Sequence, residues 1–308
     1  MPISFDRQKI ANFGSLEFKA KQVVEGFITG LHKSPYHGFS VEFAEHRIYN
    51  PGESTKNIDW KVYARTDKMF VKKFEEETNL RAQIVIDTSS SMYFPKDNYR
   101  KQFNKLEFSV LAAASLMNLL KKQRDAFGMS IFDAELKEHT RAKSSSQHYR
   151  LLLSYLDNVL KQSDGMRTSN VADTLHRVAE SIHKRSLVMI FSDMFDRSED
   201  PDALFSALQH LKYNKHEVIL FHVTDKKLEE EFEFENRPHE FIDMETGESL
   251  KLQSNQVKEF YTEKIEAYKS ELRMKCLQYK IDFVEADINQ GFVPILESYL
   301  VRRKKMNI

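Results

Sequence analysis

The residues of this sequence with the clearest potential for chemistry are an aspartate and two serines, Asp87, Ser89 and Ser91. They directly follow Ile84–Ile86, a β-branched apolar run that predicts a buried strand, since it is too short for a helix and polar residues bound it. In open α/β sheets, ligands bind at the carboxyl ends of the strands. A carboxylate and two hydroxyls meeting there offer only oxygen donors, which Mg²⁺ or Mn²⁺ selects. We therefore interpret this turn as a candidate metal site.

Two further polar loops are expected at the same edge of the sheet. One is the segment 165–170, which contains Thr168 and lies just before a predicted helix. The other follows 187–191, an almost wholly apolar run of the kind that forms a strand covered on both faces. That run ends in Ser192 and Asp193.

The elements that position these loops alternate between strand and helix. After the candidate turn, the pattern predicts helices at 103–122, 146–160, 170–183, 201–211, 257–279 and 291–301, and strands at 126–132, 135–140, 187–191, 217–223 and 281–284. The strand at 135–140 is expected at an edge, and 232–252 is an excursion with a turn at 245–247. Such alternation indicates an α/β fold with a doubly wound, mostly parallel sheet covered by helices on both faces.

The part of the chain before this sheet is less regular. An amphipathic helix is predicted at 15–33, then strands near 41–49 and 68–74 joined by a turn at 50–53 and a short helical or irregular link. We therefore predict two domains, an extension at 1–77 with a helix and a small β element, and the doubly wound domain at 78–308. Trp60 is a candidate to anchor the extension on the main domain.

The overall charge of the chain is balanced, with 46 basic and 46 acidic residues among 308. Nothing in the composition points to nucleic acid or an acidic surface as a partner. The basic cluster 302–305 is interpreted as a solvated helix end, where cations suit the helix dipole. Cys276 is the only cysteine. It is expected to be a small core residue, because it has no cysteine partner for a disulfide or a zinc site.

The first thirteen residues mix charged and apolar types, so they do not match a signal peptide. No uninterrupted apolar run is long enough to cross a bilayer. These two observations favour a cytoplasmic protein.

Together, the three polar loops resemble the metal-ion-dependent adhesion site of von Willebrand factor A domains. That pattern is Asp-x-Ser-x-Ser, then a distant threonine in a loop, then an aspartate after the next long strand. Asp87, Ser89, Ser91, Thr168 and Asp193 match it in type, order and expected placement. The resemblance implies that all five residues surround one divalent cation.

A site of this kind binds rather than catalyses, because neutral hydroxyls leave the cation much of its positive charge. The resemblance implies that an Asp or Glu of a protein partner fills the remaining coordination position. The alternative for each loop taken alone is that Asp87 and the serines cap the following helix and form turn hydrogen bonds.

The segment before the candidate turn carries a second resemblance. His37–Phe43, Tyr49–Glu53, Ile58–Trp60 and Ala64–Thr66 are similar to the bacterial family called domain of unknown function fifty-eight. In that family such a block leads into a von Willebrand factor A-like module, and the resemblance covers the chain from about residue 15 onward. Members are typically encoded beside MoxR-type AAA+ ATPases, which implies an adaptor or assembly role with such an ATPase.

Enzymatic functions rank lower, because the sequence has no P-loop, no G-x-G-x-x-G after a strand and no G-x-S-x-G elbow. Aspartate-nucleophile phosphatases need a second aspartate two residues on, and that position is Ser89. The leading enzymatic alternative is a Mg²⁺-dependent hydrolase or phosphotransferase that uses Asp87 and Asp193. A third possibility is a scaffold without a metal.

Overall fold

The computed structural model describes residues 15–31, 46–48, 60–72, 80–96, 103–162, 169–195 and 202–306. Its strands are β1 (His46–Ile48), β2 (Phe70–Lys72), β3 (Arg81–Asp87), β4 (Ala126–Phe132), β5 (Leu136–His139), β6 (Leu187–Ser192), β7 (Glu217–Thr224), β8 (Pro238–Ile242), β9 (Ser249–Gln253) and β10 (Asp282–Asp287). Its α-helices are α1 (Leu16–Leu31), α2 (Trp60–Thr66), α3 (Lys105–Lys122), α4 (Ser146–Lys161), α5 (Val171–Ser181), α6 (Ala203–Tyr213), α7 (Ser254–Gln278) and α8 (Val293–Met306).

Six strands form the main sheet in the order β10-β7-β6-β3-β4-β5. All neighbours pair in parallel except β5, which runs antiparallel to β4 at one edge. The chain winds outward from β3 to β4 and β5, then returns to β6 on the other side of β3. This order is that of a doubly wound α/β fold, and it confirms the predicted fold class. The direction of winding changes between β3 and β6, so a crevice is expected at the carboxyl ends of these two strands.

Both faces of the sheet are covered, which explains the nearly uninterrupted apolar runs of its central strands. Every residue of β6 is buried. On one face Val85, Val188 and Ile190 pack in a single apolar cluster with side chains of α5, α6 and α7. Cys276 of α7 belongs to this cluster, which confirms it as a core residue.

Helix α3 is buried along almost its whole length, from Lys105 to Leu120. A helix buried on all sides needs neighbours beyond the sheet, and α4 and α8 supply them. The rings of Phe108 and Phe292 stack with centroids 4.7 Å apart where α3 meets the segment that enters α8.

The described residues form two compact units, 15–28 with 80–306, and 29–72. In the first, the buried stripe of α1 includes Ala20, Val23 and Val24, as the helical spacing predicted. In the second, β1 and β2 form a small antiparallel sheet, and α2 lies between them in the sequence. The boundary near residue 77 stays a prediction.

The excursion predicted at 232–252 contains an antiparallel hairpin of β8 and β9. It turns at residues 243–248, where Gly247 has a φ of 75°. A π-helical turn, Lys226–Glu230, lies between β7 and this hairpin.

One expectation from the sequence is wrong in part. Of the basic cluster 302–305, Lys304 and Lys305 are exposed at the helix end as expected. Arg302, in contrast, pairs with Asp282 and Glu217, and Arg303 pairs with Asp125. Trp60 is 58% exposed and contacts Tyr63 edge-on within its own unit. The anchoring role expected for Trp60 stays a prediction. No helix in the described ranges combines the length and the apolar character needed to cross a membrane.

Gly128 in β4 provides a test of the packing between the sheet and the segment after β5. A Cβ at this position would lie 2.6 Å from Gln83 Oε1 and in direct conflict with the backbone carbonyl oxygen of Thr140. Since that oxygen belongs to the backbone, it cannot move aside at low cost. We expect Gly128→Ala to lower the free energy of unfolding by about 2 kcal/mol in urea denaturation.

Gly26→Ala in α1 is the matched control. Gly26 lies inside a helix, where alanine is favoured over glycine by up to about 1 kcal/mol, so this change should stabilise the protein slightly. If the two variants had the same stability, the close approach at Gly128 would have no energetic consequence.

Candidate metal-binding site

The three residues predicted from the Asp-x-Ser-x-Ser segment lie together at the carboxyl end of β3. The Oδ1 atom of Asp87 accepts a 2.9 Å hydrogen bond from the backbone N–H of Ser89. The hydroxyls of Ser89 and Ser91 are 3.1 Å apart. Asp87 and Ser89 are fully buried, whereas Ser91 is only partly buried and lies at the rim. The arrangement presents one carboxylate and two hydroxyls along a path from the interior to the surface.

The alternative explanation for this turn holds only in part. Asp87 does form a turn hydrogen bond, but the serines do not cap α3. Ser89 precedes a 3₁₀ turn, Ser90–Tyr93, without a capping hydrogen bond from its side chain. Helix α3 is capped instead by Asn104, whose side chain accepts a hydrogen bond from the backbone of Glu107.

The end of β6 brings the next polar group beside Asp87. Ile86 is in register with Phe191 in the parallel pair of β3 and β6, so Asp87 and Ser192 lie side by side. The Ser192 hydroxyl donates a 2.7 Å hydrogen bond to Asp87 Oδ2 and accepts one of 2.8 Å from the backbone N–H of Met194. Sequence reasoning singled out Asp193 and gave Ser192 no role. Ser192 could have been identified from the sequence, because it is a polar residue at the end of an apolar strand.

Asp193 is fully buried and lies close enough for its charge to act on Asp87. Its two carboxylate oxygens already have partners. Oδ1 accepts a 3.2 Å hydrogen bond from the backbone N–H of Phe195, and Oδ2 is 2.9 Å from the ammonium group of Lys105. Asp193 therefore lies at the predicted edge, but its side chain is committed to a cation of the protein itself.

Lys105 was not identified from the sequence, although it is central to this site. Its Nζ atom is also 2.5 Å from Oε1 of Glu229, in the π-helical turn after β7. The Lys105 side chain is 1% exposed. Burial by itself lowers the pKa of this ammonium, but the two carboxylates outweigh burial and the net shift is upward. Lys105 is therefore charged and holds together the buried carboxylate of Asp193 and the partly buried carboxylate of Glu229.

The position of Lys105 is set by the start of α3. Asn104 and Glu107 form a reciprocal capping box, which makes Lys105 the first helical residue. The backbone N–H of Lys105 donates a 2.8 Å hydrogen bond to the carbonyl of Phe94, just beyond the candidate turn. A lysine in the first turn of a helix opposes the helix dipole. A lysine at this unfavourable position is the feature of the sequence from which Lys105 could have been identified. In the structure, the two carboxylates compensate for the unfavourable interaction with the helix dipole.

Thr168 lies outside the described residues, so its predicted role stays a prediction. The residues that follow it are at the expected edge of the sheet, because the backbone N–H of Asn170 donates a 3.2 Å hydrogen bond to the carbonyl of Asp133, just after β4. The Ser169 hydroxyl is buried and has no hydrogen-bond partner in the described part of the chain.

The electrostatics of the site centre on Asp87. Burial, and after it the negative charge of Asp193, raises the pKa of the Asp87 carboxyl to about 7. In the described residues Asp87 forms no salt bridge with a lysine or arginine, since Lys105 pairs with Asp193 and Glu229 instead. Burial also raises the pKa of Glu229. In the described residues, the site therefore contains one buried carboxyl that has no cation beside it, that of Asp87. The neighbouring carboxyls of Asp193 and Glu229 share the Lys105 ammonium.

His222 of β7 forms a hydrogen bond with the backbone of the loop after β6. Its Nε2 atom is 3.1 Å from the carbonyl oxygen of Asp193. Burial lowers the pKa of this imidazole to about 4, so it is neutral near neutral pH and donates from Nε2. Its Nε2–H group therefore supports the backbone at Asp193.

The donor set fits a hard divalent cation. No group of three or more His, Cys, Asp or Glu side chains suited to a metal exists in the described ranges, so a carboxylate- or histidine-rich site is absent there. Both oxygens of Asp87 accept hydrogen bonds from neighbouring residues, and a carboxylate has about four acceptor positions in all. Asp87, Ser89 and Ser91 could therefore bind Mg²⁺ or Mn²⁺ directly, whereas Asp193 would act through water or only after leaving Lys105.

A model of the family described as Protein of unknown function DUF58 matches residues 45–271. This match confirms the family resemblance, and it includes Tyr49–Glu53, Ile58–Trp60 and Ala64–Thr66 but not His37–Phe43. Among curated proteins, the uncharacterized proteins Rv1480 of Mycobacterium tuberculosis (strain ATCC 25618 / H37Rv) and Mb1516 of Mycobacterium bovis are each 25% identical over 222 residues. That similarity covers 72% of this chain and 67% of each relative.

Several solved structures are similar to this chain. BatB from Bacteroides thetaiotaomicron has a TM-score of 0.45 and 12% identity, over 73% of this chain and 99% of BatB. An aerotolerance-related membrane protein from Bacteroides fragilis NCTC 9343 has a TM-score of 0.46 and 12% identity over the same shares. The SpRpn10 VWA domain has a TM-score of 0.34 and 11% identity, over 47% of this chain and 75% of that domain. Similarities at this level say nothing about function.

The ion pairs of Lys105 lead to a prediction about stability. Lys105→Met keeps the length of the side chain but leaves the buried Asp193 and the partly buried Glu229 without their cation. Since removing one partner of a buried ion pair leaves an uncompensated charge, we expect a loss of about 3 kcal/mol in the free energy of unfolding near neutral pH. Urea denaturation measures it.

Lys121→Met is the control in the same helix. Lys121 is 35% exposed and lies 3.9 Å from Glu17, so its loss should cost less than about 1 kcal/mol. If the two variants lost the same free energy of unfolding, the ion pairs of the Lys105 ammonium would contribute nothing to stability.

Proposed function

We propose that this chain, which belongs to the DUF58 family of proteins of unknown function, is a metal-dependent protein-interaction module. Its ligand would be a divalent cation, Mg²⁺ or Mn²⁺, held by Asp87, Ser89 and Ser91 with help from Thr168 and Asp193. Its partner would be a protein that presents an Asp or Glu to that cation. The observation that carries the proposal is the buried carboxyl of Asp87, which has two adjacent hydroxyls and no salt bridge in the described chain.

The location of the site supports this proposal. Asp87 and Ser192 end two neighbouring parallel strands where the winding of the sheet reverses, and open α/β sheets bind ligands at that position. Only Ser91 among the three donors in the turn reaches the rim. A cation there would be held on its inner side and open on its outer side, where an acidic side chain could approach.

The residues around the site would each have a separate task. Asp87 supplies the negative charge, and the Ser89 and Ser91 hydroxyls supply neutral oxygen. The bound cation supplies electrostatic attraction for a partner carboxylate. Ser192 fixes the orientation of the Asp87 carboxylate by donating to Oδ2. Lys105 pairs with both Asp193 and Glu229, so it offsets part of the negative charge beside Asp87.

We further propose that the partner is a MoxR-type AAA+ ATPase, for which the chain would act as an adaptor or assembly factor. The support is the family membership together with the association that the N-terminal block implies. The expected cytoplasmic location stays a prediction.

A Mg²⁺-dependent hydrolase or phosphotransferase using Asp87 and Asp193 remains the alternative. The geometry favours it less, because both oxygens of Asp193 already have partners, one of them the Lys105 ammonium. Of these two aspartates, Asp87 alone has a carboxylate that forms no salt bridge in the described residues, so it alone could serve as a catalytic ligand or base.

Calorimetry with Mg²⁺ and Mn²⁺ tests the cation site. Asp87→Ala should weaken binding by at least about a hundredfold, because loss even of a residue that only supports a ligand costs 10- to about 100-fold. The matched control is Asp287→Ala, since Asp287 is the last residue of β10 as Asp87 is of β3. This control should bind as the wild type does, and circular dichroism should show both variants folded.

The same titration has an expected pH dependence. Burial, and after it the charge of Asp193, raises the pKa of Asp87 to about 7, and a carboxylate must lose its proton to bind a metal. Affinity should therefore fall by about tenfold when the pH drops from roughly 8 to roughly 6. Equal heats in wild type and Asp87→Ala, or affinity that does not change with pH, would contradict the site.

Capture by an immobilised MoxR-type ATPase tests the partner. We expect retention of the wild type and of Asp287→Ala with Mg²⁺, and loss of retention with chelator or in Asp87→Ala, because the cation bridges the two proteins. Capture that chelator does not affect would leave the cation without a role. Phosphoesterase turnover abolished by both Asp87→Ala and Asp193→Ala would favour the enzymatic alternative.

A further inference from the structure

A second candidate site is a cavity at the amino ends of the strands, opposite the end at which Asp87 lies. A cavity of about 450 Å³ opens beside the first residues of β3, whereas Asp87 ends the same strand. Its walls come from three separate elements: the start of β3, the segment after β5 and the end of α5. The residues used below are Arg81, Gln83, Arg141, Lys184 and Ser186.

The cavity is strongly basic although the chain as a whole is neutral. Arg81, Arg141 and Lys184 line it, and no aspartate or glutamate does so among the described residues. Within the described ranges, none of these three cations takes part in a salt bridge. Such positive charge in a concave surface attracts anions, because the low-dielectric walls focus the field.

The helix dipole explains only part of this charge. Lys184 lies just beyond the last turn of α5, where a cation is favoured. Arg81 and Arg141 belong to other elements, so the dipole of α5 does not explain their position beside the cavity. An anionic ligand bound by all three cations would explain it.

Arg141 is held in position by its neighbours in the chain. The backbone N–H of Thr140 donates a 2.9 Å hydrogen bond to the carbonyl of Met129, and Lys143 exchanges two backbone hydrogen bonds with Phe127. Gly128, which has no Cβ, lets this segment lie directly against the sheet. Arg141 therefore approaches from a rigid segment rather than from a free loop.

The floor of the cavity is formed by polar side chains that make hydrogen bonds within the protein. Gln83 is 2% exposed, and its Nε2 atom donates a 2.9 Å hydrogen bond to the Ser130 hydroxyl. The Ser186 hydroxyl donates to the carbonyl of His183 at 2.5 Å. These side chains form a fixed base, so binding would rest on the cations at the rim.

We propose that this cavity binds a small phosphate-bearing molecule. Guanidinium groups bind phosphate with two parallel hydrogen bonds, and two of them with an ammonium match a ligand of more than one negative charge. A volume of about 450 Å³ falls within the range of small-molecule sites. The site is independent of the metal site, because the two lie at opposite ends of β3.

Calorimetry with pyrophosphate on the full chain tests this proposal. We expect one pyrophosphate per chain, weaker binding at higher salt, and no binding of succinate at the same concentration. The double variant Arg81→Gln and Arg141→Gln should bind at least about thirtyfold more weakly, since each lost charge-assisted hydrogen-bonding group costs close to tenfold or more. The matched control is Arg150→Gln with Arg237→Gln, two exposed arginines outside the cavity, which should bind as the wild type does.

Chemical protection tests the same site without any variant. Phenylglyoxal modifies accessible arginines, and mass spectrometry locates the adducts. Pyrophosphate should protect Arg81 and Arg141 and leave Arg150 and Arg237 unprotected. Absence of binding at millimolar pyrophosphate, equal binding by the two double variants, or uniform protection of all four arginines would overturn the proposal.

Discussion

The parallel pairing of β3 with β6 is the constraint on which the rest of the site depends. These strands are separated by about a hundred residues in the sequence, yet their register sets Asp87 directly beside Ser192. The winding of the sheet reverses between them, which is where open α/β sheets bind ligands. Polar side chains placed there are close to one another, and Ser91 extends the group to the surface. The same pairing separates the two candidate sites, one at each end of β3.

Charge at this edge is divided unequally between two aspartates. Lys105 pairs with Asp193 and with Glu229, so the Asp193 carboxylate has a cation inside the protein, although its charge still acts on Asp87. Asp87 receives only hydrogen bonds from Ser89 and Ser192. Burial then makes its ionised form costly, which is the physical reason a cation would be accepted there. The arrangement links four elements, β3, α3, β6 and the turn after β7, through a few side chains.

Much of the fold could be predicted from local patterns. The apolar run 187–191 became a fully buried strand, and the alternation of strands and helices correctly indicated a doubly wound sheet. The errors occurred where charged side chains pair over long distances. Arg302 and Arg303 were expected in solvent because their partners, Asp282, Glu217 and Asp125, are remote in sequence. Lys105 was overlooked for the same reason.

The sequence by itself determined the identity and order of the oxygen-bearing residues, and the strand ends on which Asp87 and Ser192 lie. These depend on the spacing of apolar residues, which is a local property of the chain. Only the tertiary structure decided which charges are compensated, because ion pairing depends on distances between elements. It assigned the Lys105 ammonium to Asp193 rather than to Asp87, and it gathered Arg81, Arg141 and Lys184 around one cavity.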